Sequence, residues 1–351
     1  PATLTPGRVT VLAKNISLDG SEITAETRGN VDASAIRVAA TGSQASPVDV
    51  ADFDRAGFTA SGNLTLANGA SINGNSYLAG NGASIAVKAG ALSISGGGRP
   101  TLIVASTLNQ SVPGQTPTLQ ATGDGGSIDI VANTVSLTNG GQIQSSTITQ
   151  GKAGTIRVQA NGMTIDGQNG TQTQTGIFGT ANPGSGGQAA TVDLNLGSGA
   201  LVVTRRGAIT VQNDATVGTT QLASLTPSSL SITAGSIALD QNALISASTR
   251  GNVEASRIDM RAQGNVTLDN GASIQGTTSG SGNASSIAVT AGGDLSLTSG
   301  AYINGNTSSS GQAASVSVSA ANVTLDGKGT SAIISSEANA PQNVSGATGS
   351  G

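Results

Sequence analysis

Two of the side chains that do most protein chemistry at neutral pH are missing. The chain has no histidine and no cysteine. That removes the commonest general base and metal ligand, and with it thiolate sites and disulfides. What remains is 19 carboxylates against 15 lysines and arginines, a net charge of -4. The densest acidic patch is VDVADFDR, with Asp49, Asp52 and Asp54 beside Arg55. Three carboxylates so close could hold a cation or supply an acid/base pair for glycoside chemistry; a solvated loop is the favoured reading. Five others, Asp19, Asp166, Asp240, Asp269 and Asp326, share one phrase of the type (I/L)-D-(G/Q/N). Aspartate there is expected to accept backbone N–H groups in a turn. The alternative, a calcium ladder, calls for a G-G-x-G-x-D signature that is absent; GDGGS from Gly123 is only superficially similar. No catalytic, cofactor or metal residue is therefore assigned.

The elements that carry these residues follow from composition and repeat. Charged residues make up 10%, aromatics 1%, and glycine reaches 51 of 351 residues. Such a chain cannot fill a wide core, so its interior must be narrow. Disorder is the obvious alternative for a Gly/Ser/Thr-rich chain, but β-branched residues alternate with polar ones throughout. Alternation marks strands: RVTVLA from Arg8, AIRVAA from Ala35, SIAVKA from Ser84, SIDIVA from Ser127, TIRVQA from Thr155, RIDMRA from Arg257. A second strand follows each (ISLDG at Ile16, LTLAN at Leu64, VTLDN at Val266), then a third (ASINGN at Ala70, QIQSST at Gln142, AYINGN at Ala301). Equivalent first-strand residues recur at 27 (Val9 to Ile36), 28 (Ile128 to Ile156) and 29 positions (Ile258 to Ile287).

Three short strands per repeat with no helix between them predict an all-β chain: a right-handed parallel β-helix, or β-solenoid, of about eleven three-strand coils. It is expected to run continuously over 1–351, with Ile85, Ile128, Ile156, Leu230, Ile258, Ile287 and Val316 as one stacked internal row. The period breaks near 41–57, 98–125, 167–189 and 197–228, which are read as insertions extruded from the rod. Prolines 113, 117 and 183 fall in them. β-Helices also serve as polysaccharide lyases and pectin hydrolases, which cluster Asp, Arg or Lys on one face of successive coils. Here there are four lysines, and the pair Arg205–Arg206 has no carboxylate cluster beside it in sequence. The weak acidity offers no footprint for nucleic acid. No apolar run is long enough to span a membrane as a helix. The opening PATLTPGRVT has no signal-peptide pattern, so the chain reads as a mature product or an internal piece.

The unit GGSIDIVANTVSLTNGGQIQSSTITQGKAG, from Gly125 to Gly154, and the stretch from Leu230 to Ser319 resemble repeats of filamentous-haemagglutinin-type exoproteins, especially those of very large bacterial and cyanobacterial surface proteins. The resemblance covers nearly the whole chain. It implies the shaft of a secreted adhesin, extracellular or at the cell surface of a Gram-negative-type bacterium, exported through an outer-membrane transporter. The Asn-Pro motifs of that family's N-terminal secretion module have no convincing copy; Asn182–Pro183 stands alone. The expected function is thus a non-catalytic structural or adhesive shaft segment, with a host or matrix ligand that the sequence does not name. The alternatives are a self-assembling filament subunit, joined end to end, and a carbohydrate-active β-helix enzyme.

Overall fold

The computed structural model describes residues 6–43, 50–54, 58–109, 122–168, 173–223 and 225–339. Asp49, Arg55, Pro113, Pro117 and the tail from 340 lie outside the described residues, as do parts of the insertions expected at 41–57, 98–125 and 167–189. The chain is a parallel β-helix. Every strand pairs in parallel with its counterpart one coil away, as Arg8–Ala13 does with Ala35–Ala40, Ile16–Asp19 with Asn63–Ala67, and Glu22–Thr24 with Ser71–Asn73. The third strands form a sheet of ten, so ten coils are complete among the described residues, where about eleven were expected. First and second strands merge into one sheet of 18. They merge because Ile85–Ser95 and Ser127–Thr138 run unbroken through the corner that other coils break. Ten coils at about 4.8 Å give a stack of roughly 45 Å.

Register decides the core. In a strand of period two, a slip of one residue would turn the apolar side chains outward. Here Ile36, Ile85, Ile128, Ile156, Val192, Leu230, Ile258, Ile287 and Val316 face one another in nine successive coils. All but Val316 are buried; it sits half-buried in the last described coil. The third strand is more uniform still. Ile23, Ile72, Ile103, Ile143, Ile177, Ile209, Ile245, Ile274, Ile303 and Ile334 form an unbroken isoleucine row. Isoleucine suits it because its χ1 is stiff in extended backbone and each side chain packs on an identical one.

The insertions are narrower than the broken period suggested. Thr101–Val104, Gly176–Phe178, Ala200–Thr204 and Ala208–Thr210 all lie inside those stretches, yet each takes its place in the ladder. The segment 197–228 contains two regular strands, Ala200–Thr204 and Ala208–Thr210, and most of its extra length lies in the turn after residue 213. A turn can lengthen without disturbing the inward-facing residues, so the count between repeats changes while the register does not. Glycine keeps one corner tight: a Cβ on Gly126 would lie 1.8 Å from the carbonyl oxygen of Ala83, and one on Gly154 1.9 Å from that of Gly126.

Truncating Ile209, at the middle of the isoleucine row and fully buried, leaves a cavity between two identical neighbours. We expect Ile209→Ala to lower unfolding stability by about 2–5 kcal/mol in urea titration followed by circular dichroism. A loss below about 1 kcal/mol would mean that the row is not the packed element described.

Candidate functional site

The turn from second to third strand carries the aspartate row. Two successive residues there adopt left-handed backbone, Asn then Gly at Asn68–Gly69, Asn139–Gly140 and Asn270–Gly271, and other pairs at Gln241–Asn242, Ser299–Gly300 and Lys328–Gly329. The preceding carboxylate binds the turn or the next coil. Asp166 accepts from the N–H of Gln168 (2.9 Å), Asp240 from Gln241 (2.8 Å), Asp269 from Asn270 (2.8 Å) and Asp326 from Lys328 (3.0 Å). Asp19 differs, accepting from the side-chain amide of Asn68 one coil on (2.8 Å). Asn270 donates likewise to Asp240 at 2.8 Å, and the Thr298 hydroxyl to Asp269 at 2.6 Å. These carboxylates tie coil to coil along one corner of the rod.

Asp269 is held below its ordinary pKa, first by the Thr298 hydroxyl, then by Ser299, with burial acting in the opposite sense. A carboxyl depressed in the folded state contributes stability above its unfolded pKa, and that contribution is lost as pH falls through the folded value.

In the sixth coil the same turn is built from Arg205 and Arg206, at φ 48° and 67°. Sequence alone placed no carboxylate beside this pair; the stack does. Asp166, one coil earlier, accepts two hydrogen bonds from the Arg205 guanidinium, one from Nε at 2.7 Å and one from Nη2. This contact raises the Arg205 pKa. Arg206 remains exposed.

Among the described residues of the acidic patch, Asp52 and Asp54 belong to no cluster of three or more potential metal ligands. Val50–Asp54 forms a short 3-10 turn lying on the outer face of the first sheet. Phe53 and Phe58, 6.4 Å apart between ring centroids, bury themselves against Ala39 with Ala86 alongside. Asp54 pairs with Arg37. Lys88 donates to the Phe53 carbonyl at 2.8 Å and lies 4.8 and 5.2 Å from the two ring centroids. Burial lowers the Lys88 pKa, with Asp54 acting against that shift. The arrangement is an aromatic clasp with cations over the rings. Two of the three phenylalanines in the chain are used here. Their sequence signal was the concentration of aromatics in an otherwise aromatic-poor chain.

A third feature went unread in the sequence. After each third strand a single residue bridges to the next coil: Thr27, Ser76, Thr107, Thr147, Ala181, Asn213, then Thr249, Thr278, Thr307 and Ala338. The hydroxyl residues in this row are buried. Each folds the returning turn around its side chain: Thr27 donates to the Val31 carbonyl at 2.6 Å, Thr147 to Gly151 at 2.9 Å, and Thr278 to Gly282 at 2.8 Å. The phrases TRGNV at Thr27 and Thr249 marked these turns, although not the inward hydroxyl. Beside this row Asp214, 4% exposed, accepts from the Arg250 guanidinium at 2.7 and 2.9 Å and from Gln212 at 2.7 Å.

No family model, curated protein or solved structure matches the chain. Among the described residues, the carboxylates of the aspartate row and Asp214 act as hydrogen-bond acceptors within and between coils.

Two measurements follow. Thr298→Val removes the main hydrogen bond to the Asp269 carboxyl, so its acid-unfolding midpoint should lie at higher pH than that of the parent chain; superimposable acid limbs would contradict the assignment. Arg206→Gly relieves a left-handed backbone that costs an L-residue roughly 1–2 kcal/mol and leaves the Arg205–Asp166 pair in place. It should stabilise the chain by about 1 kcal/mol in denaturant, and any loss of stability would show that the Arg206 side chain holds the turn.

Proposed function

We propose that this chain is a structural, adhesive shaft segment of an extracellular bacterial surface protein of the filamentous-haemagglutinin type, without catalysis of its own. The observation that carries the reading is the uniformity of the stack. Coil after coil repeats the same inward rows, while the outward positions vary from coil to coil, as in the series Arg37, Ala86, Asp129, Arg157 and Asp193. Such a rod spans distance at constant cross-section, and its stability is a sum of nearest-neighbour terms. The engaged carboxylates support the reading as well, since Asp166, Asp240 and Asp269 bind turns or neighbouring coils. In this reading the chain works at the cell surface, reaches it through an outer-membrane transporter, and meets a host or matrix ligand.

A second reading, a self-assembling filament subunit, is favoured by one observation. Val323, Leu325 and Ile333, 50%, 49% and 44% exposed, belong to the last described coil. They are the large apolar side chains that a further coil would cover. That coil can belong to the same parent protein or to a second copy.

The test of the shaft reading uses bacteria that produce the parent protein, with and without these ten coils. Removing them should shorten the surface fibre in electron micrographs and reduce attachment to coated surfaces. Unchanged attachment, or turnover of pectin, alginate or glucan by the isolated chain with calcium present, would overturn it. For the filament reading, light scattering at rising concentration should show growing rods, and Leu325→Glu should abolish the growth.

A further inference from the structure

The row of bridging hydroxyls gives way in two successive coils, to Ala181 and then to Asn213. In the following coil eight residues separate the bridge from the next first strand (Thr249 to Arg257, 257 - 249 = 8) and in the preceding coil ten (Ala181 to Thr191, 191 - 181 = 10); after Asn213 the separation is sixteen (to Ser229, 229 - 213 = 16). The added residues include the short helical turn Thr219–Leu222. Leu222 and Leu225 pack against the core from the outside. Beneath them lies a cavity of about 310 Å³, lined by Asn213, Leu222, Leu225, Pro227, Glu254 and Asn283 among others.

Asn213 is only 3% exposed, and its side-chain oxygen is buried without a partner. Where Thr249 and Thr278 engage their hydroxyls, the Asn213 side-chain oxygen accepts no hydrogen bond among the described residues. A buried, unsatisfied amide is costly. The second torsion of asparagine is broad, so the amide can turn in place and offer either end to the cavity. Across the cavity Glu254 keeps an exposed carboxylate whose recorded partner is the Asn283 amide at 3.1 Å. Leu222, Leu225 and Pro227 supply an apolar wall. Asp214 adds no free charge, because Arg250 occupies it.

We infer that this cavity is a binding site for a single polyhydroxylated sugar residue, with Asn213 and Glu254 as its polar contacts. A hydroxyl donates to the uncommitted Asn213 oxygen and can also accept from the amide N–H, which an ammonium group cannot do. A neighbouring hydroxyl donates to Glu254, and the C–H face of the ring packs on the leucines and the proline. An anionic ligand is disfavoured by the Glu254 carboxylate. The volume sits at the lower end of the roughly 300–1,000 Å³ typical of ligand pockets, which fits one ring. The site does not depend on the shaft reading, since a rod of any role would carry it.

The probe set is glucose, galactose, mannose and N-acetylglucosamine, with ethylammonium chloride as a donor lacking hydroxyls. Each is titrated into the isotope-labelled full chain and followed by NMR. At least one sugar should shift the amide signals of Asn213 and Glu254 saturably, in the millimolar range. Asn213→Thr places here the residue that the following coil carries at Thr249 and so keeps the fold; it should weaken that binding about tenfold or more. Glu254→Gln, at an exposed position, should weaken it less. Response to ethylammonium alone, no saturable shift with any sugar, or sugar binding unchanged in both variants would each overturn the inference, the second result leaving an ordered water as the partner of Asn213. None of these outcomes alters fibre length or attachment, so the two proposals fail separately.

Discussion

Every level of this structure depends on one constraint, the in-register parallel hydrogen-bonded ladder between successive coils. Because each strand lies over its own counterpart, each side chain meets a near-copy of itself. An interior position must therefore hold a residue that packs against itself, and the ten isoleucines from Ile23 to Ile334 are the plainest result. The same rule governs polar positions. The buried Thr and Ser of the bridging row fold their turns, and Asp240 and Asp269 each accept hydrogen bonds from the coil after their own. Where the backbone of one coil crowds the next, as at Gly126 and Gly154, only glycine fits.

That constraint explains why so much of the fold was legible in the sequence. A ladder forces repetition, and repetition survives as alternating Val, Ile and Leu at matched spacings. The first, second and third strands around Ile128, Val135 and Ile143 could be read directly. The segment 197–228 could not, because its strands are short and the turn after Asn213 is twice the usual length, which hides a register that never slips. Contacts between coils were the other blind spot. Asp166 and Arg205 are 39 positions apart and adjacent only in the stack, and Lys88 reaches Phe53 across 35. The chemistry of single positions was readable; their partners required the number of residues per coil to be known at each step.

Where the repeat is broken, the chain spends unusual residues. The clasp of Phe53, Phe58, Arg37 and Lys88 anchors one added segment on the outer face of the sheet. The left-handed pair Arg205–Arg206 replaces Asn–Gly at a turn, and Asn213 replaces a hydroxyl in the bridging row. Regular coils give length, and departures from regularity concentrate aromatic, cationic and amide groups at a few heights along the rod.

The direction of the ladder has a mechanical consequence. Hydrogen bonds between coils point along the long axis, so tension applied to the two ends loads the coils in series. An end coil is held by a neighbour on one side only, so it peels first. Peeling the 28 residues from Ile128 to Ile156 releases roughly 90–100 Å of extended chain in exchange for one coil height of about 4.8 Å. Under load the rod pays out coil by coil, in longer lengths where a turn is extended, as over the 38 residues from Val192 to Leu230, and the released chain can rewind onto the coils still standing when the tension drops.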